Sequence, residues 1–135
     1  LTDGPLELDV QLQSRSDGKF TLEDHHSHMA AGVGIHVDMG PSAVVRHGNV
    51  TILLTTLKTP PFDLGQLRSQ GIEPETCSVV NIKAAVAHRR TWDPITAHSY
   101  TVDTPGPCSS DVTRLPFQNV VRPVFPLDES VDELT

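Results

Sequence analysis

Leu6-Glu7-Leu8-Asp9-Val10-Gln11-Leu12-Gln13 is the stretch on which the fold turns. Leucines and valines occupy every second position, with acids and amides between them. A period of two is that of an extended strand with one dry and one wet face. Working outward, Asp17-Gly18 reads as a tight-turn pair, and Lys19 to Glu23 as its hairpin partner with Phe20 and Leu22 pointing inward. Gly32 to Met39 alternates Val33, Ile35 and Val37 against Gly34, His36 and Asp38 until Gly40-Pro41 breaks it, which predicts a third strand. Ala43–Arg46 and Val50–Thr56 flank His47-Gly48-Asn49, a hairpin loop between arms rich in β-branched residues. The first half is therefore predicted to be an antiparallel meander.

Past Thr59-Pro60-Pro61 the pattern changes. Phe62, Leu64 and Leu67 approach helical spacing, Asp63 falls in the first turn, and Gly71 is placed as a C-cap, which predicts a helix of about two turns. Ser78–Lys83 reads as a short buried strand, Ala84–Trp92 as a helix stopped by Pro94, and Ala97–Val102 as another strand. That last strand ends in the turn-rich run Asp103-Thr104-Pro105-Gly106-Pro107. The tail from Leu115 to Leu127 carries Pro116, Pro123 and Pro126 and is predicted to be extended, with a solvated acidic end from Asp128 onward. Eleven prolines and nine glycines leave no room for long helices. The expectation is one α+β domain over residues 1–135. Its mainly antiparallel sheet is built on the meander and becomes mixed where the Ser78 strand enters parallel, with a few short helices on one face.

Ten Lys and Arg against seventeen Asp and Glu give a net charge of −7, so no overall positive field exists to gather nucleic acid. The longest uncharged apolar run, Met29 to Ile35, is far short of the ~20 residues that cross a bilayer, which argues against a membrane span. Two cysteines, Cys77 and Cys108, are too few to staple a secreted scaffold, and a reduced, cytoplasmic setting is expected. The chain opens on Leu1 with no leader pattern, which predicts that it is a piece of a longer protein.

Several clusters carry chemistry. Asp24-His25-His26-Ser27-His28, with His36 and Asp38 further on, has ligand types that suit zinc but no recognised ligand spacing, and the polar stretch after a strand reads as a solvated loop. Cys108, after a Pro-Gly-Pro turn, reads as a loop residue before an Asp111 N-cap or as an exposed thiol, and Cys77 reads as a core residue. Lys83 ends a predicted strand where a helix begins, and His88, Arg89 and Arg90 follow as the one local basic cluster in an acidic chain. That is where α/β units present side chains at the carboxyl edge of a sheet, so the cluster reads as a site for an anionic group or as a solvated helix face.

Asp38-Met39-Gly40-Pro41-Ser42-Ala43-Val44-Val45-Arg46, Val80-Asn81-Ile82-Lys83 with Arg89 and Trp92-Asp93-Pro94, Val102-Asp103-Thr104-Pro105-Gly106, and Arg122-Pro123-Val124-Phe125-Pro126-Leu127-Asp128 follow in order. Together they resemble the C-terminal domain of the MlrC family of microcystinase C-like metallopeptidases. The resemblance runs from about Pro5 to Asp128. It implies a bacterial hydrolase whose catalytic zinc is held by an N-terminal domain, so that no catalytic residue, no metal ligand and no cofactor are expected within this chain. It also implies that Lys83, Arg89, Asp103 and Thr104 bind substrate. Where relatives show Lys-Ser and then His-Phe, this chain has Lys83-Ala84 and then Ala87-His88, so that the histidine's role is either lost here or displaced to His88.

Two functions follow as expectations. In one, the chain is the non-catalytic C-terminal domain of a zinc-dependent hydrolase; its partners are the N-terminal catalytic domain of the same protein and a small peptide or amide substrate. In the other it is an interaction or homo-oligomerisation module with no part in catalysis, marked by exposed apolar residues on one sheet face.

Overall fold

In the computed structural model, residues 5–84, 87–102 and 111–128 are described. The order of elements is β1 (Gln11–Ser16), β2 (Lys19–Thr21), α1 (His28–Val33), β3 (His36–Asp38), β4 (Ser42–His47), β5 (Val50–Thr55), α2 (Gly65–Arg68) and α3 (Arg89–Trp92), with 3-10 turns at Pro74–Thr76, Asp93–Ile95 and Val112–Arg114. The chain divides into two compact units, Asp3–Ser99 and Leu1–Thr2 with Tyr100–Thr135.

In the larger unit β1, β4 and β5 form a three-stranded antiparallel sheet in the order β1-β4-β5, and β2 and β3 form an antiparallel ribbon. Thus the α+β expectation holds, with every pairing among the described residues antiparallel. The predicted hairpin at Asp17-Gly18 is a corner instead. Ser16 pairs with Ser42 and Lys19 with Asp38, so β1 and β2 are two halves of one kinked strand running beside β4 and β3. The corner closes because Gly18, at φ +74°, lies against Gly40, at φ +65°. Its carbonyl accepts from the Met39 amide at 2.9 Å. Only glycine enters that part of backbone space without a Cβ penalty.

The hairpin at 47–49 forms as read, closing through the two residues Gly48 and Asn49 with His47 opposite Val50. Gly48 takes φ +56° at the first central position, as a type II′ turn requires. The strand expected over Gly32–Met39 begins only at His36. Its first part is helical because Ser27 caps α1, its Oγ accepting from the Ala30 amide at 3.1 Å, and Gly34 at φ +79° ends it. α2 is one turn rather than two. Gly71 nonetheless ends it as predicted, with bonds from Ile72 to the Leu67 carbonyl and from Gly71 to the Arg68 carbonyl, the Schellman pattern.

Directly opposed residues of antiparallel strands share a face. Ser14, Val44 and Leu53 form one row across the sheet, and Leu53 packs against the core of Phe20, Leu22, Met29 and Met39, so this is the inner face. Leu12, Val45 and Ile52, then Arg15, Ala43 and Leu54, form rows on the outer face. Both rows fall on one side of β1 because an irregularity between Leu12 and Ser14 inserts an extra residue. The opening stretch is therefore displaced from its predicted strand. Pairing starts only at Gln11, and Leu6, Leu8, Val10 and Leu12 are all exposed.

Neither Ser78–Lys83 nor Ala97–Val102 forms a strand: Val79 is 86% and Tyr100 83% exposed, and β-propensity without a pairing neighbour does not make a ladder. Cys77, expected in the core, is exposed. In the smaller unit, Asp111 caps the 3-10 turn at Val112–Arg114 as anticipated, its carboxylate accepting from the Thr113 amide. The tail to Leu127 contains no further helix or strand.

Candidate functional site

The basic cluster is set by how α3 docks. Pro61-Phe62-Asp63 presents two backbone carbonyls to it: Thr91 Oγ1 donates to Phe62 O at 2.6 Å, and Trp92 Nε1 donates to Pro61 O at 2.9 Å. Trp92 is buried beneath these bonds and anchors the single turn. Pro94 follows at once and stops the helix.

Asp63 fixes the other side of this joint. Its carboxylate is 2% exposed and accepts from the Glu23, Asp24 and Gly65 amides at 2.8–3.0 Å. The sequence placed Asp63 in the first turn of a helix. Its bonds to residues some forty positions earlier had no local signal.

The loop so fixed carries Asp24, whose Oδ2 accepts from Arg90 Nε at 2.6 Å. The guanidinium bond holds the Asp24 carboxyl below its ordinary 3.8, helped by the His26 amide, and raises Arg90 above its own. A carboxyl with a lowered folded-state pKa stabilises the fold above its unfolded pKa, and that contribution is lost as pH falls through the folded value. Asp24→Asn is thus expected to flatten the loss of stability below about pH 5, read as the change in denaturation midpoint with pH. An unchanged acid slope would mean that the pair contributes nothing.

Arg89, the neighbour of Arg90 and first residue of α3, is exposed, and its guanidinium has no hydrogen-bond or ion-pair partner among the described residues. Lys83 is likewise exposed and unpartnered. Lys83 does not sit at a sheet edge, since no strand forms over 78–84. His88 Nδ1, just before Arg89, is out of solvent with no partner. By contrast Arg68 is saturated by Glu23, Glu73 and Glu75, and its guanidinium pKa is raised first by the bond to Glu73. Asp103 and Thr104 lie outside the described residues, as does Cys108.

The histidine segment disperses. His28 stacks obliquely on Phe62 with ring centroids 5.4 Å apart, while His36 Nδ1 lies 3.3 Å from Thr21 Oγ1. His36 and Asp38 line a shallow, open hollow of about 340 Å³ with Lys19 and Thr21. Among the described residues no three His, Cys, Asp or Glu side chains gather closely enough to hold a metal ion, and no helix is long and apolar enough to cross a membrane.

The model of the family described as the MlrC C-terminus matches residues 1–119. No curated protein and no solved structure matches the chain.

Proposed function

The chain belongs to the MlrC C-terminus family, and from that premise we propose that it is the non-catalytic C-terminal domain of a zinc-dependent hydrolase. Its part is to complete the substrate cleft and pack on the catalytic domain. One observation carries the reading: of two adjacent arginines on one docked turn, Arg90 is neutralised by Asp24 and Arg89 is left with its charge unspent. An unpaired guanidinium held on an anchored turn can bind a carboxylate in a forked, two-bond geometry, and Lys83 adds a mobile point charge.

The chemistry assigned to these residues is binding and orientation. Arg89 and Lys83 hold a small peptide or amide substrate by its anionic group; Asp103 and Thr104 join them as substrate-binding residues on the family resemblance alone. Zinc, as the family resemblance places it, belongs to the preceding domain and supplies an activated water there. No step is assigned to a metal on this chain. A cytoplasmic location goes with this reading.

Kinetics of the full-length protein test it. Lys83→Ala and Arg89→Ala are each expected to raise KM about tenfold with kcat within about twofold, the pattern of lost uniform binding. Arg90→Ala is expected to lower stability more than binding. Unchanged turnover and KM in the first two variants would overturn the proposal. A second reading, an interaction module without a catalytic part, is favoured by the apolar residues left exposed on the outer sheet face; it predicts that unchanged kinetics.

A further inference from the structure

The segment that receives α3 is stiff in its own right. The rings of Pro60 and Pro61 fix two successive φ angles, and the Phe62 amide donates to the Pro60 carbonyl at 3.0 Å. The Phe62 ring lies against His28, and the Asp63 carboxylate is clasped by three amides. Two consecutive carbonyls of this segment, those of Pro61 and Phe62, accept from Trp92 and Thr91.

A helix of four residues has no stability of its own, because the cost of its nucleus outweighs the few backbone bonds it forms. Its orientation is therefore that of its docking bonds. Trp92 is buried and sets the depth of the turn, but its single bond leaves a pivot. The bond from Thr91 Oγ1 to Phe62 O, at 2.6 Å, removes that pivot and fixes the roll of the turn about its axis. A threonine in a helix ordinarily returns its hydroxyl to a carbonyl three or four positions back. Here the His88 carbonyl, three back, accepts from the Thr91 and Trp92 amides, while the hydroxyl reaches a carbonyl twenty-nine positions away. Arg90 adds little to this hold, since its guanidinium is 57% exposed where it meets Asp24.

Residues two apart on a helix project to nearly opposite sides of it. Arg89 thus projects away from the Thr91 bond, and any roll of the turn is magnified at the far end of its side chain. A forked bond to a carboxylate tolerates little misalignment. We infer that Thr91 is a positioning residue for carboxylate recognition: its bond to Phe62 O aims the Arg89 guanidinium, and so sets how strongly the site prefers a free carboxylate to a neutral end. The inference deepens the cleft reading and rests on it.

Kinetics of the full-length protein on a panel of short peptides and their C-terminally amidated counterparts test it. Thr91→Val, which keeps the branched shape and removes the donor, is expected to raise KM for the free carboxylates about fivefold with kcat within about twofold, and to leave the amidated peptides unchanged. Thr91→Ser, which keeps the donor, is expected to restore the parent values. Thr91→Ala, which lets water reach Phe62 O, carries the same expectation as the valine variant and serves if that one folds poorly. In an Arg89→Ala background Thr91→Val is expected to add nothing, as coupled residues require. A KM that rises alike for both kinds of peptide, or that rises further in the Arg89→Ala background, makes Thr91 merely structural and overturns the inference with the cleft reading intact. So does a Thr91→Val protein with unchanged KM when Arg89→Ala raises it. An unchanged KM in Arg89→Ala itself, or no turnover of any peptide, fells the cleft reading and this inference with it.

Discussion

Replacing Gly18 by alanine is expected to destabilise the fold by about 4 kcal/mol, a large share of the 5–15 kcal/mol that holds a domain of this size. Two effects add. At φ +74° an alanine is strained wherever it sits, and a Cβ at this position would lie 1.9 Å from the Gly40 carbonyl oxygen and 2.7 Å from Ser42 Oγ. A serine hydroxyl can turn aside, but a carbonyl cannot move without its backbone. That carbonyl accepts from Ser42 Oγ at 2.8 Å beside the Ser16–Ser42 pair, so moving it opens the corner where both long strands bend. Gly34→Ala is the comparison: φ +79° and ψ −178° put it in backbone space that only glycine enters freely, but nothing lies within 4 Å of the added carbon, and about 2 kcal/mol is expected. Denaturant midpoints of the two variants separate clash from strain. A Gly18→Ala protein no less stable than Gly34→Ala would contradict the close approach of the two corners.

Asp63→Ala is the second large effect, expected to cost about 3 kcal/mol. The substitution strands the amides of Glu23, Asp24 and Gly65 at a site where the side chain is 2% exposed. A buried donor without an acceptor costs more than the mean hydrogen bond contributes. Asp63→Asn keeps one accepting oxygen, and about half the loss is expected. Local hydrogen exchange distinguishes this from a general loosening: the three amides should exchange faster in Asp63→Ala than in an equally destabilised core variant such as Leu22→Ala. Equal exchange in the two would mean that the carboxylate does not hold this loop.

The sequence disclosed what is local. The β4–β5 hairpin was legible because a two-residue turn and its flanking arms are contiguous, and the Gly71 stop because a Schellman end needs only its own helix. The Asp17-Gly18 corner was misread because a turn pair looks the same whether the chain reverses or bends. Only the distant partners Ser42 and Asp38 decide between them. Residues 32–33 opened the alternation read as a strand, yet Ser27 and the alanines before them won a short helix. The runs at 78–83 and 97–102 had the composition of strands but found no neighbour to pair with. At the site, Lys83 and Arg89 could be picked out because they are basic residues in an acidic chain. The Asp24–Arg90 pair that sets Arg89 apart spans sixty-six positions and left no local trace.

The proposed role of Lys83 and Arg89, holding the anionic end of a substrate, is measured most directly by comparing, in the full-length protein, kcat/KM for a candidate peptide substrate with kcat/KM for the same peptide amidated at its C-terminus. The parent is predicted to prefer the free carboxylate by about tenfold or more, and Lys83→Gln with Arg89→Gln to erase that preference through KM. A preference for the carboxylate that survives the double substitution undiminished would contradict the claim.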